Sequence, residues 1–209
     1  MNPLFITGIG TGVGKTIVSA IVSEALQADY WKPVQAGYEK GTDLEWIESL
    51  ISNQHSKFHP ETYRLKLAAS PHIAARSEGK EIDLQEIYLQ YRKIKRDNTR
   101  LLIEGAGGLL VPLNQKEFVI DLIKKLEADV LLVSRNYLGS INHSLMTAEV
   151  CRRNKLNVIG WIFNDQYLNY EEEIVAWSGY KKLGSVPKVT EVDRAFIQQQ
   201  AERLKKTLI

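Results

Sequence analysis

The stretch Gly8-Ile9-Gly10-Thr11-Gly12-Val13-Gly14-Lys15-Thr16 decides the fold of this chain. It lies between the apolar run Leu4-Phe5-Ile6, which suits a strand, and the apolar segment Ile17–Val22, which suits a helix. A strand, a glycine-rich loop ending in Lys-Thr and a helix together make a phosphate-binding loop, because glycine lets successive backbone N–H groups turn inward around phosphate oxygens. The N-terminus of the helix adds its partial positive charge.

Two side chains of this loop carry the expected chemistry. In loops of this kind the lysine, here Lys15, reaches the β- and γ-phosphates, and the hydroxyl of Thr16 binds Mg²⁺. The usual pattern has four residues between its first glycine and Gly-Lys, whereas Gly8 and Gly14 enclose five, so this is a variant loop. The alternative is a glycine-rich turn that only caps a helix, and the position of Gly-Lys-Thr between strand and helix disfavours it.

Composition places the chain among ordinary globular proteins. With 209 residues, 44% of them hydrophobic and 25% charged, it can form one sizeable domain, residues 1–209, and neither a disordered nor a fibrous class fits. A net charge of +2 gives no reason to expect a nucleic-acid partner, and the single Cys151 excludes an internal disulfide framework. No apolar run approaches the roughly 20 residues that span a membrane, and the N-terminus carries no leader pattern. We therefore expect a cytoplasmic protein without a membrane partner.

Apolar runs of strand length alternate with longer amphipathic segments. This alternation predicts an α/β fold, with a mostly parallel central sheet flanked by helices in three layers, as in P-loop NTPases. The predicted strands are Leu4–Thr7, Tyr30–Val34, Leu101–Glu104, Val130–Ser134, Val158–Phe163 and, more weakly, Lys182–Val186. The predicted helices are Lys15–Gln27, Leu44–Ser52, Leu84–Lys95, Val119–Glu127, Ile141–Asn154, Tyr170–Trp177 and Val192–Lys205. The segment His55–Lys80 is the least regular and is interpreted as a flap.

Polar clusters follow several of these strands at the point where each strand ends. Beyond the phosphate-binding loop, they are Lys32–Gly37, Glu104–Gly108 and Asn164-Asp165. Ligands of open parallel sheets bind outside the carboxyl ends of the strands. The clusters are therefore expected to meet at one edge of the sheet and to form one site.

Three charged residues are candidates for chemistry at that edge. Glu104 closes an apolar strand, where a second carboxylate for Mg²⁺ belongs, although a charged residue can also simply mark a strand end. Asp43 is either a metal ligand or an acid at the start of a helix. Lys32 stands inside an apolar run, so its ammonium either extends to the surface or faces phosphate.

These motifs, in this order, resemble those of the dethiobiotin synthetase family from Phe5 to about Val189. The shared motifs are the five-residue variant loop, Lys-Pro-Val-x-x-Gly, Ser-Pro-His, Glu-Gly-Ala-Gly-Gly, Leu-Gly-x-Ile-Asn-His and Gly-Trp-x-x-Asn-Asp. The resemblance implies an ATP-dependent ligase that turns 7,8-diaminononanoate and CO₂ into dethiobiotin through a carbamate and a carbamic–phosphoric anhydride. It also implies Mg²⁺ as cofactor and a homodimer.

The resemblance assigns roles to individual residues. It implies a Mg²⁺ shell of Thr16, Asp43 and Glu104 and a catalytic set of Lys15, Lys32 and Thr11. Besides Lys15 and the metal shell, the ATP-binding residues that it implies are Gly12, Val13, Gly14, Ile17, Gly105, Ala106, Gly107, Asn164, Asp165, Pro187, Lys188 and Val189. Ala36, Gly139 and Asn142 would bind the substrate, with Gly139 and Asn142 meeting its carboxylate tail across the dimer interface.

The chain departs from the family pattern at three positions. Ala36 replaces a hydroxyl residue, so a side-chain hydrogen bond to the substrate is lost or supplied elsewhere. Gly10 and Gly12 stand where family members often carry acidic or amide side chains.

Other function classes stay open from the residues alone. A regulatory ATPase of the chromosome-partition or septum-placement type shares the fold and the variant loop. Its signature lysine lies five positions before the loop lysine, where this chain has Gly10. A cobyrinic acid a,c-diamide synthetase domain would need an ammonia-supplying domain, and a non-catalytic nucleotide-binding module has no evident use for Lys32 and Glu104.

Overall fold

The computed structural model describes residues 2–96, 99–165 and 167–208. Within these ranges the chain forms nine strands, which are β1 Leu4–Gly8, β2 Asp29–Trp31, β3 Val34–Ala36, β4 Phe58–His59, β5 Tyr63–Leu65, β6 Leu101–Gly108, β7 Asp129–Arg135, β8 Val158–Asn164 and β9 Lys182–Val186. The helices of the same ranges are α1 Lys15–Leu26, α2 Asp43–Leu50, α3 Pro71–Ser77, α4 Leu84–Ile94, α5 Val119–Lys125, α6 Ser140–Arg153, α7 Glu171–Ser178 and α8 Arg194–Leu208.

Seven of the strands form one parallel sheet, in the order β4-β2-β6-β1-β7-β8-β9. The first strand of the chain is the central one, since Leu4 pairs with Leu102 of β6 on one side and with Asp129 of β7 on the other. The strand order reverses about β1, so the loop that follows β1 opens between the ends of β6 and β7. This is the position at which open parallel sheets bind ligands.

Helices cover both faces of the sheet. One hydrophobic cluster packs the side chains Ile6, Leu131 and Ile162 against α1, α2 and α8. The other packs Phe5 and Leu132 against α4, α5, α6 and α7. Successive residues of a strand point to opposite faces, so Phe5 and Ile6 enter different clusters. The predicted three-layer α/β fold is confirmed.

The prediction of a single strand at Tyr30–Val34 is wrong. The chain leaves the large sheet after Trp31, and β3 pairs in parallel with β5 in a separate two-stranded sheet. Pro33 has no N–H to continue the ladder, and its carbonyl accepts bonds from the backbone of Thr62 and Tyr63 instead. Lys32 lies at the break.

The segment His55–Lys80 is more regular than its sequence indicates. It contains β4 at the edge of the large sheet, β5 of the small sheet and the helix α3. The strands are only two and three residues long, which is too short for a periodic pattern to be visible in the sequence. The other predicted strands and helices are present, with ends that differ by a few residues.

The amphipathic C-terminal segment is a helix that packs on the sheet. Ile197, Ala201 and Leu204 of α8 are buried against the α1 side. Among the helices in the described part of the chain, none is both long and apolar enough to cross a membrane.

Candidate active site

The loop after β1 has the backbone conformation that its glycines permit. Gly12 and Gly14 have φ angles of 71° and 89°, in the left-handed region that side chains rarely adopt. Gly14 caps α1, and a Cβ atom added there would lie 1.7 Å from Nδ2 of Asn164 at the end of β8. Only glycine therefore allows the loop and the end of β8 to come this close.

The lysine of the loop folds back over it. Nζ of Lys15 donates a hydrogen bond to the carbonyl oxygen of Gly10 at 3.0 Å. Burial lowers the pKa of Lys15 to about 8, and the neighbouring Lys32 acts in the same direction, whereas Glu104 opposes the shift. A desolvated ammonium of this kind interacts more strongly with an arriving phosphate than an exposed one would.

Two carboxylates and a hydroxyl converge beside the loop. Oγ1 of Thr16 lies 3.2 Å from Oδ1 of Asp43 and 3.0 Å from Oε1 of Glu104. The three residues come from the start of α1, the start of α2 and the strand β6. The structure therefore brings the predicted metal-binding side chains together from positions 88 residues apart.

Helix α2 presents Asp43 to this cluster. Thr42 is the N-cap of α2, and it exchanges hydrogen bonds with Glu45 in a capping box, with the Glu45 N–H donating to Thr42 Oγ1 at 3.1 Å and Thr42 N–H to Glu45 Oε2 at 2.8 Å. The capping role that the sequence leaves open for Asp43 thus belongs to Thr42. Asp43 occupies the first turn and directs its carboxylate to Thr16 and Lys32.

Lys32 lies between both carboxylates. Its side chain is 9% exposed, so it does not extend to the surface, and its Nζ contacts Asp43 Oδ2 and lies 3.2 Å from Glu104 Oε1. Burial, the largest influence, lowers the pKa of Lys32, but the two carboxylates outweigh it and hold the pKa above its ordinary value. Lys32 is therefore a cation that neutralises two carboxylates, the buried Glu104 and the half-buried Asp43.

The oxygen atoms of Thr16, Asp43 and Glu104 fit Mg²⁺. This hard cation takes oxygen ligands and is commonly bound by one or two carboxylates together with substrate phosphates. Within the described residues, no group of three or more His, Cys, Asp and Glu side chains could hold a metal ion. The donor set is thus suited to a metal that arrives with a nucleotide rather than to a metal bound by protein ligands alone.

A cavity of about 220 Å³ opens on the other side of the loop. Eight of the residues that the sequence predicts to bind ATP line it, namely Gly12, Gly14, Ile17, Asn164, Asp165, Pro187, Lys188 and Val189. Nδ2 of Asn164 donates to the carbonyl oxygen of Val13 at 3.1 Å, which ties the end of β8 to the loop. The size of the cavity and its mixture of apolar and polar side chains suit a nucleotide base.

The remaining predicted residues lie on β6, on β3 and at the start of α6. Gly105, Ala106 and Gly107 form the end of β6, where a Cβ atom at Gly107 would lie 3.4 Å from Oγ1 of the exposed Thr11. Ala36 ends β3. Gly139 caps α6, and the exposed Asn142 donates to Met146 Sδ at 3.4 Å, so no contact among the described residues joins Asn142 to the Lys32 cluster.

Five residues of the site were not predicted from the sequence. Arg135 lines the cavity and forms an ion pair with Asp165 at 2.9 Å, and Phe196 lines the cavity from α8. Val186 and Val192 also line it. Tyr30, which is fully buried, donates to Glu104 Oε2 at 3.1 Å, and burial raises the pKa of its hydroxyl well above the ordinary value. Arg135 is the last residue of β7 and directly follows the predicted apolar strand Val130–Ser134. A search for polar residues at strand ends, which located the other clusters, could therefore have found it.

Comparisons with known proteins identify a set of relatives. The family model described as an AAA domain matches residues 2–195. The chain is 48% identical over 205 residues to the ATP-dependent dethiobiotin synthetase BioD of Cytophaga hutchinsonii, which covers 98% of this chain and 97% of the relative. It is 46% identical to the protein of that name from Christiangramia forsetii, over 98% of this chain and 96% of the relative. The protein of that name from Rhodopseudomonas palustris strain BisB18 is 38% identical, over 95% of this chain and 93% of the relative.

Solved structures share the fold at low sequence identity. The septum site-determining protein MinD of Pyrococcus horikoshii, complexed with Mg-ADP, has a TM-score of 0.62 at 14% identity, covering 100% of this chain and 95% of that one. A ParA family ATPase from Chlorobium tepidum has a TM-score of 0.55 at 13% identity, and the match covers 99% of this chain and 90% of that one. At these identities the likeness establishes the fold alone.

The loop geometry generates a prediction for two glycines. Gly14→Ala should lower the free energy of unfolding by about 2 kcal/mol, because the new Cβ meets Asn164 and the φ angle is positive. It should also weaken ATP binding, since Asn164 must move. Urea unfolding and titration with a fluorescent ATP analogue measure the two effects.

The matched control is Gly10→Ala. Gly10 is not among the residues with positive φ, and a Cβ atom there meets nothing within 4 Å. Its free energy of unfolding should stay within about 0.5 kcal/mol of the wild type. Equal stability losses in the two variants would contradict the packing of Asn164 against the loop.

Proposed function

Because this chain belongs to the ATP-dependent dethiobiotin synthetase family, we propose that it is a ligase of biotin biosynthesis. It acts as one synthetase domain over residues 1–209 and converts 7,8-diaminononanoate, CO₂ and ATP to dethiobiotin, ADP and phosphate. One observation carries the proposal beyond the family name. Lys15, Lys32 and an oxygen set suited to Mg²⁺ lie together beside a cavity that fits a nucleotide base.

The reaction has three steps. One amine of the substrate attacks CO₂ and loses a proton, which gives a carbamate anion. A carbamate oxygen then attacks the γ-phosphorus of ATP, the bond from that phosphorus to the bridging oxygen breaks, and ADP leaves. The second amine attacks the carbonyl carbon of the resulting carbamic–phosphoric anhydride, phosphate leaves with the C–O bond electrons, and loss of a proton completes the cyclic urea.

The main obstacle is the meeting of two anions, the carbamate and the γ-phosphate. Lys15 and Lys32 supply fixed positive charge where negative charge accumulates, and both are buried, so water screens them little. The exposed hydroxyl of Thr11 lies at the mouth of the loop, beside the end of β6. Holding the carbamate, the second amine and the phosphate together supplies rate through proximity.

Mg²⁺ would be held by Thr16, Asp43 and Glu104. When bound with ATP it would neutralise charge on the phosphates. Lys32 already neutralises the two carboxylates in this structure. With Mg²⁺ held there, the ammonium of Lys32 would be free of that task and available to a substrate anion.

The base cavity favours a nucleotide with an exocyclic amino group. The amide of Asn164 donates one N–H to Val13, and its Oδ1 can accept a hydrogen bond from the amino group of adenine. Phe196, Val189 and Ile17 offer apolar contact to the ring. These features support ATP as the nucleotide.

A partition-type ATPase is the alternative that the fold allows. The partition- and septum-type structures that share the fold are 12–16% identical to this chain, whereas the dethiobiotin synthetases reach 48%. The position of the partition signature lysine is occupied by Gly10, where a side chain would meet nothing within 4 Å. Steric constraint therefore does not explain the missing lysine, and its absence favours the ligase.

A homodimer with a shared site is part of the proposal. Leu138 and Met146 flank the substrate segment and are 85% and 60% exposed, which is unusual for large apolar side chains. Gly139 and Asn142 lie on the same segment at the start of α6. Covering this face with a second copy would bury the apolar side chains and bring Asn142 towards the partner's substrate.

The direct test is product formation. The protein is incubated with 7,8-diaminononanoate, bicarbonate, Mg²⁺ and ATP, and dethiobiotin is sought by mass spectrometry. Carbon-13 bicarbonate must give a correspondingly heavier product, and omission of ATP must abolish it. Absence of product, together with ATP hydrolysis stimulated by DNA or lipid, would support the partition-type ATPase instead.

Removing Lys32, which bridges the two carboxylates, should change turnover and metal binding in opposite directions. Lys32→Ala should lower kcat by at least about 100-fold, because a fixed charge at the reacting anions is lost. The same change should strengthen Mg²⁺ binding, because two carboxylates lose their cation. Steady-state kinetics and calorimetric titration of Mg²⁺ measure the two effects.

Lys182 provides the matched control for this variant. It also bridges two carboxylates, at 2.9 Å from Glu171 and 3.0 Å from Glu172, but at the start of β9 and away from the site. Lys182→Ala should leave both kcat and Mg²⁺ affinity unchanged. Normal turnover of Lys32→Ala would remove Lys32 from the mechanism.

The dimer predicts a coupled loss of assembly and activity. Charge placed at Leu138 and Met146, as Leu138→Glu with Met146→Glu, should give a monomer in sedimentation and a raised KM for the diamine. Leu89→Glu is the control, because Leu89 is 52% exposed on α4, outside this segment. A wild type that sediments as a monomer while fully active would refute the shared site.

A further inference from the structure

A buried tyrosine lies directly behind the carboxylate of Glu104. Tyr30 is fully buried in β2, where it pairs with Leu102 of β6, two residues before Glu104. Its hydroxyl donates a hydrogen bond to Oε2 of Glu104 at 3.1 Å. Tyr30 therefore contacts Glu104 from the hydrophobic core between the sheet and α1 and not from the solvent side.

The two oxygen atoms of Glu104 have different partners. Oε1 accepts from Thr16 at 3.0 Å and from Lys32 at 3.2 Å, whereas Oε2 accepts from Tyr30. The last torsion of a glutamate is soft and nearly two-fold, so the backbone alone does not fix the plane of the carboxylate. A partner on each oxygen does fix it, and Glu104 is only 1% exposed, so water cannot take that role.

We propose that Tyr30 is a positioning residue, which holds the carboxylate of Glu104 so that Oε1 faces the metal position and Oε2 stays in the core. The inference rests on the proposed function, since it takes Glu104 as a ligand of Mg²⁺. It adds a residue that does not touch the metal, the nucleotide or the substrate. Outer partners of this kind typically change metal affinity by about 10- to 100-fold.

The inference predicts a specific kinetic pattern for Tyr30→Phe. The ring and its packing remain, but the donor to Oε2 is lost, and the carboxylate can rotate away from the metal position. The Mg²⁺ concentration needed for half-maximal turnover should rise by at least about 10-fold. At saturating Mg²⁺, kcat should return to near the wild-type value, because metal binding then restores the orientation of Glu104.

A purely structural role would give a different pattern. Loss of the hydroxyl leaves a buried carboxylate oxygen with one partner fewer, and this alone would lower stability. Tyr63 serves as the control for that effect, because its largely buried hydroxyl also contacts a carboxylate, that of Glu86, and accepts from the N–H of Asp83 at 2.9 Å. Tyr63→Phe removes a contact with a carboxylate that is not among the proposed metal ligands.

The experiment titrates Mg²⁺ into each variant at saturating ADP and measures the heat of binding, so turnover is not required. Tyr30→Phe should bind Mg²⁺ at least about 10-fold more weakly than the wild type. Tyr63→Phe should bind it as tightly as the wild type, and ADP without metal should bind all three proteins equally. The rise in melting temperature on adding Mg²⁺ and ADP, taken relative to each variant's own baseline, corrects for any difference in stability.

Each alternative outcome is decisive. If Tyr30→Phe binds Mg²⁺ like the wild type while Glu104→Gln binds it more weakly, the inference about Tyr30 is overturned and the metal site stands. If Glu104→Gln binds Mg²⁺ as tightly as the wild type, the metal assignment itself fails and the inference fails with it. Should Tyr30→Phe not fold, Tyr30→Met removes the same hydroxyl with a more adaptable side chain, and the same titration decides.

Discussion

The charge balance between Lys32 and the carboxylates of Asp43 and Glu104 is the interaction on which the site depends. All three groups are wholly or largely removed from water, and a buried charge is tolerated only when it is paired. The pairing joins the end of β2, the start of α2 and the middle of β6. It therefore keeps three separate parts of the chain at one place before any ligand arrives.

The same arrangement gives the site its capacity for anion chemistry. Lys15 and Lys32 lie near each other, and the burial of Lys15 lowers its pKa to about 8. Lys32 lowers the pKa of Lys15 further, whereas Glu104 and Asp43 oppose that shift. The two lysines and the two carboxylates therefore balance each other's charge before any ligand arrives.

Sequence could predict the parts of this structure that local pattern determines. The loop Gly8–Thr16 carries its chemistry in consecutive residues, and the buried strands are apolar almost throughout, so both are found without knowing the fold. The break at Lys32-Pro33 was not predicted, because a proline in a short apolar run fits either a strand end or a turn. Its consequence, the separate pair of β3 and β5, depends on a partner strand almost 30 residues later.

Contacts between elements that are distant in the sequence could also not be predicted from the local sequence pattern. Phe196 belongs to a helix whose apolar stripe explains its packing on the sheet, so nothing in the sequence indicates that the same helix reaches a base cavity. Tyr30 looks like any aromatic residue of a strand. Its role follows from the register of β2 against β6, which places its hydroxyl behind Glu104. Arg135 is the exception, because its position after an apolar strand was informative.

The central position of β1 has a consequence for synthesis of the protein. This strand is made before its two neighbours, β6 and β7, which span residues 101–108 and 129–135. Translation adds about 5–20 residues per second, so β1 and its glycine loop wait several seconds for both partners. The cavity beside the loop is lined in part by Phe196, so it is complete only after α8 has been made. A chain that stops before α8 lacks one wall of this cavity.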